Sequence, residues 1–201
     1  MSTDRTEQLR AIKDAIVNLK ESPLYEYRVS NGYYPVIGQG NHYADIMFIG
    51  EAPGKNEAET GRPFCGASGR VLDQLLEDID LKRPDVYVTN IVKDRPPKNR
   101  DPQKSEIEMY SPFLVQQIEI IQPKVIATLG RFSMTFILET FHAPQAMQKI
   151  SQIHGTVIKV KTDYGSVSVV PLFHPAVALR NPAQKETLKE DFQVLKQFIS
   201  S

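Results

Sequence analysis

An apolar run at residues 46–49 ends abruptly in the turn Gly-Glu-Ala-Pro-Gly, and this junction constrains the fold more than any other feature of the chain. A short, unbroken apolar stretch closed by Gly and Pro reads as a buried parallel strand that delivers a polar loop at its carboxyl end. Gly50 and Gly54 permit tight backbone geometry, and Pro53 fixes φ between them. Two carboxylates, Glu51 and Glu57, flank the turn, and Phe64 follows in a second Gly/Pro-punctuated loop, GRPFCG. Acid, turn, acid and aromatic are the parts needed to hold a flat ligand and do charge chemistry beside it.

The rest of the chain alternates helical and extended patterns. Residues 4–20 carry Leu9, Ile12, Ile16, Val17 and Leu19 near a 3.6-residue period and predict an amphipathic helix. Residues 22–41 are rich in turn formers and predict irregular structure. Strands are expected at 46–49, 86–89, 124–129, 156–160 and 167–172, the last two around a turn at 163–165. Helices are expected at 68–79, 105–121, 131–139 and 182–199. This order predicts an α/β fold with a parallel sheet and helices on both faces. Ligands in such sheets bind beyond the carboxyl ends of the strands, where the GEAPG turn, Asn90 and His174 all fall.

Composition narrows the class. With 201 residues and 41% apolar content, one domain over 1–201 with a sizeable core is expected. No apolar run is long enough to span a membrane, and the N-terminus has no segment like a signal peptide, so an intracellular protein without a membrane partner is expected. The single cysteine, Cys65, excludes a disulfide framework and a multi-cysteine metal site. Lys and Arg balance Asp and Glu at 24 each, which argues against broad nonspecific nucleic-acid binding but is silent on a local basic patch.

Six segments in order, GEAPG-x-x-E, GRPFCGASG, VYVTNIVK, RPPKNRDP, IATLG and FHPAVALR, resemble the successive motifs of family 4 uracil-DNA glycosylases. The resemblance covers about residues 35–180. It implies a three-layer fold with a central four-stranded parallel sheet flanked by helices, no nucleotide cofactor, and uracil-containing DNA as substrate for a monomeric enzyme. Members of this family carry four cysteines that bind a [4Fe–4S] cluster. Here the matching positions hold Leu19, Ser22, Asp94 and Tyr110, none of them a thiolate, so the cluster is expected to be absent. Packing and hydrogen bonds are expected to fill its place, with Tyr110 and Leu19 as fillers.

The resemblance also implies roles. Phe64 would stack on the extruded base, the alternative being a core phenylalanine. Asn90 would read the uracil O4 and N3–H edge, the alternative being a cap on a helix or turn. His174 would donate to O2 as negative charge develops on the leaving base, the alternative being a structural histidine. His42, His142 and His154 match no catalytic motif and read as surface or loop residues. The related family 1 enzymes place a water-activating Asp where this chain has Ala52. Glu51, its neighbour, would position the water or stabilise an oxocarbenium-like sugar. Glu57 would guard the C5 edge, the alternative for either glutamate being a cap on a backbone N–H. The amides near Glu51 and Ala52 are further donors for O2. For DNA, Lys93, Arg95, Lys98 and Arg100 form a basic run, Ser68 opens a helix that could take a phosphate, and Leu179 with Arg180 stands at the wedge position. No lysine suits an imine, which favours hydrolysis over lyase chemistry. A noncatalytic DNA-binding module and a glycosylase shifted towards hypoxanthine or xanthine remain alternatives.

Overall fold

The computed structural model describes residues 4–199; residues 1–3 and 200–201 of the expected domain lie outside them. Its sheet has six strands in the order β1-β3-β2-β4-β6-β5: β1 (Gln39–Gly40), β2 (Ile46–Gly50), β3 (Tyr87–Asn90), β4 (Val125–Leu129), β5 (Ile158–Thr162) and β6 (Gly165–Leu172). The middle four, β3-β2-β4-β6, run parallel, with Phe48 opposite both Val88 and Ala127, and Ala127 opposite Val170. The two edges are antiparallel, so the sheet is mixed and larger than the four parallel strands expected. Only Asp163 and Tyr164 separate β5 from β6, and so short a link can join only antiparallel neighbours. The other edge, β1, is two residues long, and a Cβ at Gly40 would run into the Val86 carbonyl.

Strands β2 and β4 are buried along their whole length, which is why they read as apolar runs without alternation. Their side chains still alternate between faces. Met47 and Ile49 face a core built with Ile12, Ile16, Ile118 and Ile137. These come from α1 (Arg5–Val17), α5 (Lys104–Ile121) and α6 (Arg131–Thr140). Ile46 and Phe48 face the other core, with Leu72, Leu75 and Phe192 from α4 (Ala67–Glu77) and α8 (Pro182–Gln193). Phe48 and Phe192 stack across that layer with ring centroids 5.8 Å apart. Removing either ring would cost about 3–5 kcal/mol.

Three helices lie where loops were expected: α2 (Tyr25–Ser30), α3 (Lys55–Thr60) and α7 (Ile150–Ile153). The first falls inside the stretch expected to be irregular. At the other end, α8 stops at Gln193 and the chain tightens into a 3₁₀ turn over Val194–Phe198. Strand β5 runs two residues later than expected, whereas the remaining strands and helices shift by no more than two residues at most ends.

Candidate active site

Three parallel strands deliver polar groups to one edge of the sheet. Gly50 ends β2, Asn90 ends β3 in register with it, and β6 leads through Phe173 to His174. Beside them is a cavity of about 340 Å³. Its lining includes Glu51, Ala52, Glu57, Phe64, Ser68, Asn90, Arg100 and His174, all of which were sequence candidates. Gly50 makes this convergence possible, because a Cβ there would run into Asn90 Oδ1 and lie 2.8 Å from the Phe64 ring.

Phe64 is buried, adopts a left-handed φ of 50°, and stacks on His174 with centroids 5.6 Å apart. Asn90 is 2% exposed, yet its side-chain amide makes no hydrogen bond to any described residue. A buried amide left open is poised to bind a polar ligand edge, since leaving it unpaired costs free energy. The imidazole of His174 is fixed differently. The Ala176 N–H donates to its Nδ1 at 3.1 Å, so Nδ1 carries the lone pair and Nε2 the proton. Burial pulls the His174 pKa down to about 4, against an opposing pull from Glu57. The ring is therefore a neutral donor at neutral pH.

The two carboxylates differ. Burial pushes Glu51 up to about 7, Asp101 adds to the rise, and Arg131 opposes it. Asp101 and Arg131 form an exposed ion pair of 3.1 Å, a feature the sequence did not single out. Glu57 accepts from the backbone N–H groups of Cys65 and Gly66 at 3.2 and 3.1 Å through Oε1. It thus lines the cavity and also ties down the loop that carries Phe64. Pro53, Gly54, Pro96, Asn99 and Ala176 complete the wall; all lie in the motif segments, but none was a candidate site residue.

The basic run divides. Arg100 lies at the cavity, held by Glu106 through bonds of 2.9 and 2.6 Å. Arg95 donates to Asn99 Oδ1 and to the Tyr33 hydroxyl, and Lys98 is exposed. Lys93 is a correction: it is 0% exposed and cannot contact a phosphate at the surface. Its ammonium donates to Thr89 Oγ1, the Asn90 carbonyl and Gln117 Oε1 at 2.7, 2.7 and 2.6 Å. The signal for this was available, because Lys93 follows Ile91-Val92 and precedes the RPPKNR loop. Leu179, 53% exposed, ends the 3₁₀ turn that begins just after His174, and exposed Arg180 follows it. Of the other histidines, His42 pairs with Thr6, and His142 is exposed. His154, half-buried, bonds Asp191 at 2.8 Å.

The four positions that the resemblance assigns to a cluster are occupied by something else. Tyr110 donates to Asp94 Oδ2 at 2.5 Å, and its hydroxyl lies 2.6 Å from Ser22 Oγ. Arg28 bonds both Asp94 oxygens at 3.3 Å and the carbonyls of Ile16 and Val17 at 3.1 and 2.6 Å. Ser22, Arg28, Asp94 and Tyr110 are all buried, and Leu19 packs against the adjoining core. Among the described residues no group of three or more His, Cys, Asp or Glu side chains is placed to hold a metal ion. A phenol, a hydroxyl and a carboxylate bonded to one another, beside an aliphatic chain, do not fit a thiolate-held cluster.

A mixed α/β sheet gathers an aromatic ring, an open amide and a neutral histidine in one cavity at its carboxyl edge, a set suited to a flat ligand with a polar edge. Comparison with known proteins agrees. The family model described as the uracil DNA glycosylase superfamily matches residues 37–196. The chain is 41% identical to a type-4 uracil-DNA glycosylase of Sulfurisphaera tokodaii, over 95% of this chain and 84% of that one. It is 40% identical to those of Saccharolobus solfataricus (97% and 88% covered) and Archaeoglobus fulgidus (93% and 91% covered). The chain belongs to the uracil DNA glycosylase superfamily, in its type-4 family.

Proposed function

We propose that this chain is a single-domain, monomeric, monofunctional uracil-DNA glycosylase of DNA repair, acting inside the cell. It draws uracil out of DNA and hydrolyses the bond between the base and C1′, leaving an abasic site. Phe64 stacks on the base, and the Asn90 amide pairs with O4 and N3–H; cytosine presents the opposite polarity and leaves those groups unmatched. Glu57 stands at the C5 edge. As the C1′–N1 bond breaks, its electron pair leaves with uracil and charge gathers on O2. The Nε2–H of His174 and the amides near Ala52 meet that charge, an interaction strongest in the transition state. Glu51 faces the sugar, offsets its developing positive charge and takes a proton from the attacking water. A carboxyl near pH 7 is suited to that exchange. Ser68, Arg95, Lys98, Arg100 and Arg180 hold phosphates, and Leu179 enters the vacated stack.

We further propose that the enzyme works without an iron–sulfur cluster. One cysteine cannot supply four thiolates, and the Arg28–Asp94–Tyr110–Ser22 network occupies the place.

The observation that carries this reading is the fixed neutral tautomer of His174, in the same cavity as the open amide of Asn90. Single-turnover cleavage of oligonucleotides carrying uracil, hypoxanthine or thymine tests it. Alkali-labile breaks at uracil alone are expected, and His174→Ala should slow them about 10²–10³-fold with DNA affinity retained. Breaks at hypoxanthine would mean a shifted base preference. Binding without cleavage of any base would mean a noncatalytic module.

A further inference from the structure

Phe64 carries a bulky side chain in the left-handed backbone region, at φ 50°, where such residues are rare and must be held by their surroundings. The residue is buried in the core yet lines two cavities, so packing does not surround it completely. One is the base cavity, and the other, of about 590 Å³, also reaches Arg62, Cys65, Asp73 and Arg83. A left-handed residue bordering two cavities is held by polar restraints as well as by packing.

Those restraints come from both flanks. The amides of Cys65 and Gly66 are held by Glu57. The carbonyls of Pro63 and Phe64 are held by a single nitrogen, Arg83 Nη2, at 3.0 and 2.6 Å. Arg83 comes from the 3₁₀ turn Arg83–Asp85 ahead of β3, a different element from the loop it grips. Its Nε lies 2.9 Å from Asp73 Oδ1 on α4, an ionic contact that is not aligned as a hydrogen bond. On α4 the backbone at Gly69 also closes on the Phe64 carbonyl so tightly that a Cβ there would collide with it.

We infer that Arg83, oriented by Asp73, is a positioning residue that sets the base-stacking ring of Phe64. Arg83 is not among the residues lining the base cavity and acts through the two carbonyls. The inference rests on the proposed stacking role of Phe64.

A double-mutant cycle tests it: wild type, Arg83→Met, Phe64→Ala and the pair, each assayed by single-turnover uracil cleavage. Affinity for abasic-site DNA, which offers no base to stack on, is the control. Arg83→Met should lower the single-turnover rate about tenfold, within the range that base–aromatic stacking supplies. Abasic-DNA affinity should not change, and the pair should be no slower than Phe64→Ala alone. Asp73→Asn, which keeps the guanidinium and weakens only its orientation, should shift activity the same way by less. Additive losses in the pair, loss of abasic-DNA affinity, or full activity of Arg83→Met would each overturn the inference. An inert Phe64→Ala would instead overturn the stacking role itself.

Discussion

Asn90, His174 and Glu51 share one cavity but are held in three electrical states, and each state has a local cause. The amide of Asn90 is open, His174 is kept neutral by burial, and Glu51 is kept half-protonated near neutrality by burial beside Asp101. The two titrations act on stability with opposite sign. Glu51 rises from 4.5 to about 7 on folding, so its contribution is full below 4.5 and is lost as pH climbs through 7. His174 falls from 6.5 to about 4, so its contribution is full above 6.5 and is lost as pH drops towards 4. The proposed mechanism needs the Glu51 carboxylate and the neutral imidazole together. Single-turnover rates should therefore rise with pH through an apparent pKa near 7, and Glu51→Gln should abolish that limb while lowering the plateau. A limb that persists in Glu51→Gln would remove Glu51 from the water step. Glu51 was legible because Gly and Pro punctuate the turn after β2, whereas Asn90 and His174 took their roles from the family resemblance, Asn90 being followed directly by Ile91 and Val92. Lys93 was not read correctly, because its burial depends on α5 bringing Gln117 across the end of β3.

At the scale of elements, what the sequence revealed depended on length. Elements long enough to repeat a period or sustain an apolar run, such as α5 and β4, announced themselves; α2, α3, α7 and β1 have six residues or fewer and cannot repeat one. The network around Asp94 was visible only as missing cysteines, since nothing local to Arg28 links it to Asp94, 66 positions away. That network joins the end of α1, helix α2, the segment after β3 and helix α5. Asp94 is the anion on which it closes, and burial raises its pKa while Tyr110 and Arg28 oppose the rise. Asp94→Asn would strand the buried Arg28 charge and should cost about 3–5 kcal/mol. Tyr110→Phe removes one hydroxyl and should cost about 1–3 kcal/mol. Urea denaturation should rank them in that order, and iron chelators should leave wild-type stability unchanged. A chelator-sensitive midpoint would restore the cluster and overturn the substitution of polar bonds for metal.

The whole molecule is electrically neutral, with 24 cationic and 24 anionic side chains, so its grip on DNA must come from where charge is placed. The sheet topology places it: the segments that follow β3 and β6 bring Lys98, Arg100 and Arg180 out beyond the carboxyl edge of the strands that carries the cavity. These cations differ in freedom. Lys98 has no ion pair among the described residues and is exposed, Arg100 shares its guanidinium with Glu106, and Lys93 is enclosed among three acceptors, with burial pulling its pKa well below the usual lysine range. Phosphate contact releases counterions, so each true contact steepens the dependence of affinity on salt by about 0.9 in log–log slope. Lys98→Ala and Arg180→Ala should each reduce that slope by about 1, equally for uracil-containing and undamaged DNA. Lys93→Met should leave the slope as it is and lower stability instead, because three acceptors at the end of β3 lose their donor. Fluorescence anisotropy across a salt series separates the two behaviours. A reduced slope in Lys93→Met would mean that the end of β3 opens to bring this lysine to DNA, and the buried ammonium would then be part of the grip after all.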